Sequence, residues 1–120
     1  MIAINIVPTT LLSRHLIPKF MVRKNKCAII NVTSLAGVYP TPYFSVYCGT
    51  KAYGNFLTSC LASEYPNIDI LSFRPSEVST NMTANKPEDI MTISTSACVE
   101  GLFNELGYTS STYGHWKHEV

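Results

Sequence analysis

Apolar and polar positions alternate along the chain in segments that each have a recognisable period. Over residues 9–23, Leu12, Leu16, Phe20 and, on the next row, Met21 recur at helical spacing, and the segment ends in the basic run Arg23-Lys24-Asn25-Lys26, so the pattern predicts an amphipathic helix. Pro8 and Pro18 predict a kink or break in it, because proline gives no backbone N–H to the preceding turn. Residues 27–32, Cys-Ala-Ile-Ile-Asn-Val, form a short, nearly continuous apolar run rich in β-branched side chains, the form of a strand buried on both faces. It stops at Thr33-Ser34.

Residues 35–43 are punctuated by Gly37, Pro40 and Pro42 and predict a loop. Residues 44–64 then carry Val46, Tyr53, Phe56, Leu57, Cys60 and Leu61 at helical spacing, with Gly49, Ala52 and Gly54 small enough to admit a second helix, and Pro66 ends the segment. Residues 68–75, from Ile68 to Pro75, read as a second strand closed by proline. Strand, loop, helix and strand make a βαβ unit, for which a parallel sheet and a right-handed crossover are expected. Residues 87–107 suggest one more helix, running from Pro87-Glu88-Asp89 to the stop at Gly107. The tail to Val120 is polar and aromatic.

Composition narrows the class. The 120 residues are 46% hydrophobic and only 14% charged, which fits a globular chain whose faces are mostly covered by neighbours. A net charge of +1 leaves no field for nucleic acid. Cys27, Cys48, Cys60 and Cys98 match no zinc spacing and no C-x-x-C pair, so a reduced, intracellular chain is expected. The apolar start lacks a basic leader and is interrupted by Asn5 and Pro8, a poor signal peptide, and no run of 18 apolar residues predicts a membrane span. The sequons at Asn31 and Asn81 then read as accidental. His115-x-x-His118 lacks a third ligand at a recognisable spacing and reads as a solvated tail, so no metal site is expected. There is no G-x-S-x-G, P-loop or H-E-x-x-H.

Candidate chemistry gathers in the middle. In an open parallel sheet, ligands collect at the carboxyl ends of the strands, here Ser34 and the stretch Ser76–Thr80, which border one crevice. Tyr47 and Lys51 lie one turn apart at the start of the intervening helix, which puts phenol and ammonium on one face. A neighbouring ammonium favours tyrosinate and brings a phenol towards the working range of a general acid or base. A serine hydroxyl beside it can hold a carbonyl oxygen. By itself Tyr-x-x-x-Lys is common by chance.

Its company makes it specific. Ile29-Ile-Asn-Val-Thr-Ser34 followed by Tyr47-Cys-Gly-Thr-Lys51 resembles the short-chain dehydrogenase/reductase family, which places a tyrosine thirteen residues after a serine and a lysine four later. Asn5 lies 29 residues before Ser34, where that family has an asparagine, and Arg74-Pro75-Ser76-Glu77-Val78-Ser79-Thr80 is similar to its next loop. The resemblance covers residues 1 to about 83. It implies Tyr47 as acid/base, Ser34 polarising the substrate oxygen, and Lys51 lowering the tyrosine pKa and holding the nicotinamide ribose. Asn5 would support a relay water. Pro75, Val78 and Thr80 would join Tyr47 and Lys51 in contacting the cofactor, with Thr80 at the carboxamide. The implied cofactor is NADPH, with NADH open, and the helix of Tyr47 would pack against its copy in a homodimer.

Pro75-Ser76 stands where most members have Pro-Gly. That form, with Val78 and Thr80, looks like the very-long-chain 3-oxoacyl-CoA reductases and the steroid 17-beta dehydrogenases of lipid metabolism and fatty acid elongation. Residues 94–118, with Ser96-Ala97, Gly107, Gly114 and His118, are more loosely similar to their C-terminal region. The likeness implies a ketone or acyl-CoA substrate and the endoplasmic reticulum; a chain complete as given would be cytoplasmic.

The family also begins with a glycine-rich turn that cradles the cofactor pyrophosphate. The six glycines here form no G-x-G. The expected fold is therefore a partial Rossmann-like α/β domain over residues 1–120, the catalytic half of a doubly wound parallel sheet, with two strands lacking their sheet neighbours. Alone it is expected to be inactive, poorly soluble or self-associating. Two readings stay open: a ketone reductase completed by an N-terminal half, and a non-catalytic remnant or interaction module.

Overall fold

The computed structural model describes residues 1–119. Helices α1 (Ile2–Asn5) and α2 (Val7–Met21) precede strand β1 (Ala28–Val32), helix α3 (Ser45–Glu64) and strand β2 (Asp69–Phe73). Helix α4 (Thr95–Glu105) and a two-residue strand, β3 (Ser111–Thr112), complete the order. The sheet runs β1-β2-β3, parallel throughout, with Ala28 opposite Asp69, Val32 opposite Phe73, and Ser72 opposite Ser111.

The N-terminal helix starts earlier than its apolar period suggests. Pro8 occupies the first turn of α2, where its missing N–H costs least, and the break falls at Ile6 between α1 and α2. Pro18 lies inside α2 without ending it. The buried row is partly rotated from expectation: Ser13 and Ile17 face the core with Phe20 packed beside them and Leu16 partly buried, while Leu12 and Met21 are exposed.

Two apolar clusters sandwich the strands. Ile17 of α2 packs with Ile29, Ile68 and Ile70 on one face of the sheet, and Leu71 and Phe73 pack with Ile93, Cys98 and Leu102 of the α4 side on the other. Strand alternation directs Ile70 and Leu71 to opposite faces. β1 is less enclosed than a strand buried on both faces, for Ala28 and Val32 are exposed. Its second edge carries no strand among the described residues.

The C-terminal third departs most from the expectation. The helix begins at Thr95, not Pro87, because Ser94 caps it by accepting the Ala97 N–H, and residues 87–93 form a loop. The tail supplies β3 as a second neighbour for β2, so of the two strands expected from sequence β1 alone stays at a sheet edge among the described residues. Gly114 makes this closure possible: it holds φ +75°, and its backbone packs so tightly on α4 that a Cβ on Gly101 would fall on its carbonyl oxygen. His118, read from sequence as part of a solvated tail, is buried.

Candidate active site

Ser34 follows β1 directly and caps the short 3₁₀ turn Leu35–Gly37, its Oγ accepting the Ala36 N–H at 3.1 Å. That bond occupies an acceptor lone pair and leaves the hydroxyl proton to donate elsewhere. The turn is held on the sheet by Leu35 N–H donating to the Pro75 carbonyl at 3.0 Å. Ser34 is thereby placed at the mouth of the crevice between the ends of β1 and β2.

Tyr47 and Lys51 stand on the first turns of α3. The Lys51 Nζ lies 5.7 Å from the centre of the Tyr47 ring and donates to the Val32 carbonyl at 3.1 Å. Half-buried there, the ammonium is pushed below the usual lysine value by desolvation, so it keeps its charge beside the phenol less readily than a surface lysine would. Ser34, Tyr47 and Ser76 line a single cavity of about 430 Å³, together with Tyr39, Phe44, Glu77 and Thr83. The sequence spacing had brought the first three to one crevice. Aromatic Tyr39 and Phe44 come from the loop and helix entry, where no periodic signal marks them.

Asn5 lies at the end of α1, and its amide donates to Thr50 Oγ1 at 2.9 Å. Thr50 in turn donates to the Tyr47 carbonyl at 2.8 Å. Asn5 thus touches the residue before Lys51 and leaves its own carbonyl oxygen free of that bond. The inner face of α3 continues this polar pattern: Asn31 donates to Thr58 at 2.9 Å, and Ser72 donates to Asn55 Oδ1 at 2.8 Å. Arg74 Nε donates to the same Asn55 oxygen at 3.2 Å. Thr50, Asn55 and Thr58, on one broad side of the helix, would ordinarily be read as a solvent face, yet they are buried. The apolar row is split: Val46 and Phe56 are exposed, Phe56 at 76%, while Leu57 is partly buried and Leu61 packs on the Ile17 cluster. Gly54 also reverses its expected use, since it packs on the end of β1 at Thr33 and admits no second helix.

Beyond β2 the chain leaves at Pro75-Ser76 and returns at Ile93. Ser76 stands where glycine is usual in the similar family, but it is not among the non-glycine residues with positive φ, so this turn has no need of glycine. Val78 pairs with Ile93 in an isolated parallel bridge. Thr80 caps the turn Asn81–Thr83, its N–H donating to Thr83 Oγ1 at 2.9 Å. Lys86 pairs with Glu77 at 2.7 Å and Asp89 at 3.0 Å. Lys86 and Thr92 hold the Glu77 carboxyl below its ordinary value, and the Thr92 N–H with Lys86 and the Met91 N–H holds Asp89 well below its own. Pro75, Val78 and Thr80 therefore sit on one stitched excursion bordering the cavity that Tyr47 lines.

The residues present match one end of a nicotinamide nucleotide. Lys51 spends one N–H on Val32 and has others for a ribose diol. No G-x-G turn exists to approach a pyrophosphate.

The sequence pattern of the family described as short chain dehydrogenase matches residues 1–91. A Caenorhabditis elegans protein named as a steroid dehydrogenase is 36% identical over 121 residues, covering 99% of this chain and 46% of that protein. The Bos taurus very-long-chain 3-oxoacyl-CoA reductase is 30% identical over 122 residues, covering 100% of this chain and 39% of its own length. The chain thus spans less than half the length of these curated relatives. A solved 7beta-hydroxysteroid dehydrogenase superposes with a TM-score of 0.84 at 24% identity, covering 99% of this chain and 48% of that one. The 3-ketoacyl-(acyl-carrier-protein) reductase from Brucella melitensis, complexed with NADH, gives 0.79 at 21% identity over 92% of this chain and 52% of that one. At those identities the likeness is one of fold, a Rossmann-type α/β sheet of which this chain carries a part.

Proposed function

The chain belongs to the short chain dehydrogenase family, and we propose that its residues serve the NADPH-dependent reduction of a ketone, a 3-oxoacyl thioester or a steroid-like ketone, to the secondary alcohol. The observation that carries this reading is the convergence of Ser34 and Tyr47 on one cavity, with the Lys51 ammonium beside the tyrosine ring. The likeness to 3-oxoacyl-CoA reductases and steroid dehydrogenases supports the substrate class. NADPH rather than NADH, an endoplasmic-reticulum setting and a homodimer through α3 belong to the same proposal.

In this mechanism the ketone oxygen lies between two donors. The Ser34 hydroxyl, fixed by the Ala36 N–H on its oxygen, gives one hydrogen bond and polarises the carbonyl. Tyr47 gives the second and transfers its proton to that oxygen as charge builds there. Lys51 stabilises the phenolate left behind, the more strongly because half-burial weakens solvent screening. Asn5, anchored on Thr50, would hold a water able to return a proton towards Lys51 and Tyr47. Bound NADPH would supply the hydride for the carbonyl carbon. Lys51 and Tyr47 would hold its nicotinamide ribose, and Thr80, with Pro75 and Val78, its carboxamide end.

In this proposal the pyrophosphate is held by a glycine-rich turn outside these 120 residues, which contain no G-x-G. That same lack favours the second reading, a non-catalytic module, for the 120 residues acting alone. Assaying NADPH oxidation with 3-oxoacyl-CoA and steroid ketones, on the gene product as its source expresses it, tests the proposal. Ketone reduction that falls about 10²- to 10⁴-fold in Tyr47→Phe, with circular dichroism unchanged, is expected. Undiminished turnover in that variant overturns the role of Tyr47, and saturable NADPH binding by the 120 residues alone overturns the assignment of the phosphate site.

A further inference from the structure

His118 takes no part in the proton chemistry, yet it is the most enclosed titratable side chain of the C-terminal turn Trp116–His118, 1% exposed. Its ring joins the two limbs of the excursion between β2 and α4. Nδ1 receives the Ser76 backbone N–H at 3.2 Å, and Nε2 lies 3.0 Å from the Met91 carbonyl oxygen. A backbone N–H can only donate and a carbonyl can only accept. The two partners together therefore select one ring form, neutral with its proton on Nε2.

The outgoing limb is a wall of the cavity, and the return limb backs it. Ser76 and Glu77, on the outgoing limb, line it beside Ser34 and Tyr47. The return limb closes on the outgoing one through Ser79 N–H to the Ile93 carbonyl at 2.9 Å and Ile93 N–H to the Glu77 carbonyl at 3.2 Å. Side-chain ties add to these backbone bonds. The Glu77–Lys86–Asp89 cluster has side chains 38–45% exposed and is screened by salt and water. The His118 tie is shielded from both.

We propose that His118 is a positioning residue for the substrate pocket, setting the place where Ser76 leaves the sheet and so the width available to a ketone beside Ser34 and Tyr47. Its catalytic consequence rests on the ketone-reductase reading above; the tie itself does not. Lys117 works alongside it, its Nζ donating to the Asp89 carbonyl at 2.9 Å, so the C-terminal turn grips the return limb at two points.

Nitrogen NMR of the His118 ring, amide exchange at Ser76 and steady-state kinetics test this together. The ring is expected to show a bare Nδ1 and a protonated Nε2. His118→Phe fills the volume without either bond, and Ser76 exchange is expected to quicken on the order of tenfold, the upper end of what one net hydrogen bond protects. His118→Asn, whose short side-chain carbonyl can replace Nδ1, should keep much of that protection and remains informative if the phenylalanine variant does not fold. In the active gene product, KM for the ketone should rise more than kcat falls in His118→Phe, with the asparagine variant between. Exchange at Ser76 equal to wild type, exchange quickened equally at Leu71, or a loss of kcat with KM unchanged overturns the proposal. Absence of ketone reduction in the wild type overturns the reductase reading instead, and the ring tautomer and Ser76 exchange still decide whether His118 ties the limbs.

Discussion

The two faces of the β1–β2 sheet are built on different principles. Towards α4 the face is apolar: Leu71 and Phe73 pack with Ile93, Cys98 and Leu102, and Ile30 adjoins them. Towards α2 and α3 it is graded. Ile29 and Ile70 meet Ile17 near the amino ends of the strands, and Asn31, Thr33 and Ser72 meet Thr58 and Asn55 near the carboxyl ends. Burial of apolar surface is non-directional and supplies stability without fixing orientation. A hydrogen-bonded layer is directional, so it sets the rotation and height of α3 on the strands. The polar layer lies under the helix that carries Tyr47 and Lys51, the residues proposed for the chemistry, and the apolar face lies on the other side of the sheet.

The largest expected break of this contrast is Leu71→Ala. Leu71 is wholly buried on the apolar face, and chemical denaturation should show a loss of about 2–5 kcal/mol. In the molecules that remain folded, the ring and ammonium signals of Tyr47 and Lys51 should be unmoved. Ser72→Ala is expected to cost less stability, about 1–3 kcal/mol, because it removes one donor from the Asn55 oxygen while Arg74 remains on it. The same substitution should shift the Tyr47 and Lys51 NMR signals, since α3 loses a tie to β2; unchanged signals would show that the layer carries stability alone. The Asn55 Nδ2, buried without a partner among the described residues, indicates that this layer already operates with one unmet donor. The smallest effect belongs to Phe56→Glu on the outer face of α3. Monomer stability should stay within about 0.5 kcal/mol, while sedimentation velocity should show weaker self-association. A stability loss several times larger would place Phe56 in a core.

Much of the fold was legible because its signals are local. The β-branched run at Ile29-Ile30, the proline closing the second strand and the helix between them fix a parallel βαβ unit whatever surrounds it. The candidate site was legible for a related reason. Tyr47 and Lys51 are one helical turn apart, and Ser34 follows the strand that the helix crosses back over. What could not be read was the side on which each helix finds its core. Periodicity marks two faces of α3 and assumes the apolar one is buried; here that holds for Leu61 but not for Val46 or Phe56, and Thr50, Asn55 and Thr58 are buried because strand-borne Asn31 and Ser72, with Asn5 from α1, supply partners for them. The exposed row of Val46, Tyr53 and Phe56 is consistent with the low charge content, a surface suited to being covered.

The C-terminal third shows the same division more sharply. Nothing within a few residues of Ser111 or His118 marks one as a strand and the other as a buried hinge between two limbs. Their partners, Ser72 for the first and Ser76 and Met91 for the second, lie 27 to 42 residues away. The sequence by itself determined β1, α3, β2 and their parallel pairing, and the spacing that sets Tyr47 and Lys51 on one side of α3, since each depends on neighbours within one turn or one crossover. Tertiary structure alone decided which face of α3 is inside, which serine the tail histidine holds, and how the loop beyond β2 closes. Those outcomes depend on hydrogen bonds between residues distant in the chain, and a hydrogen bond has no period.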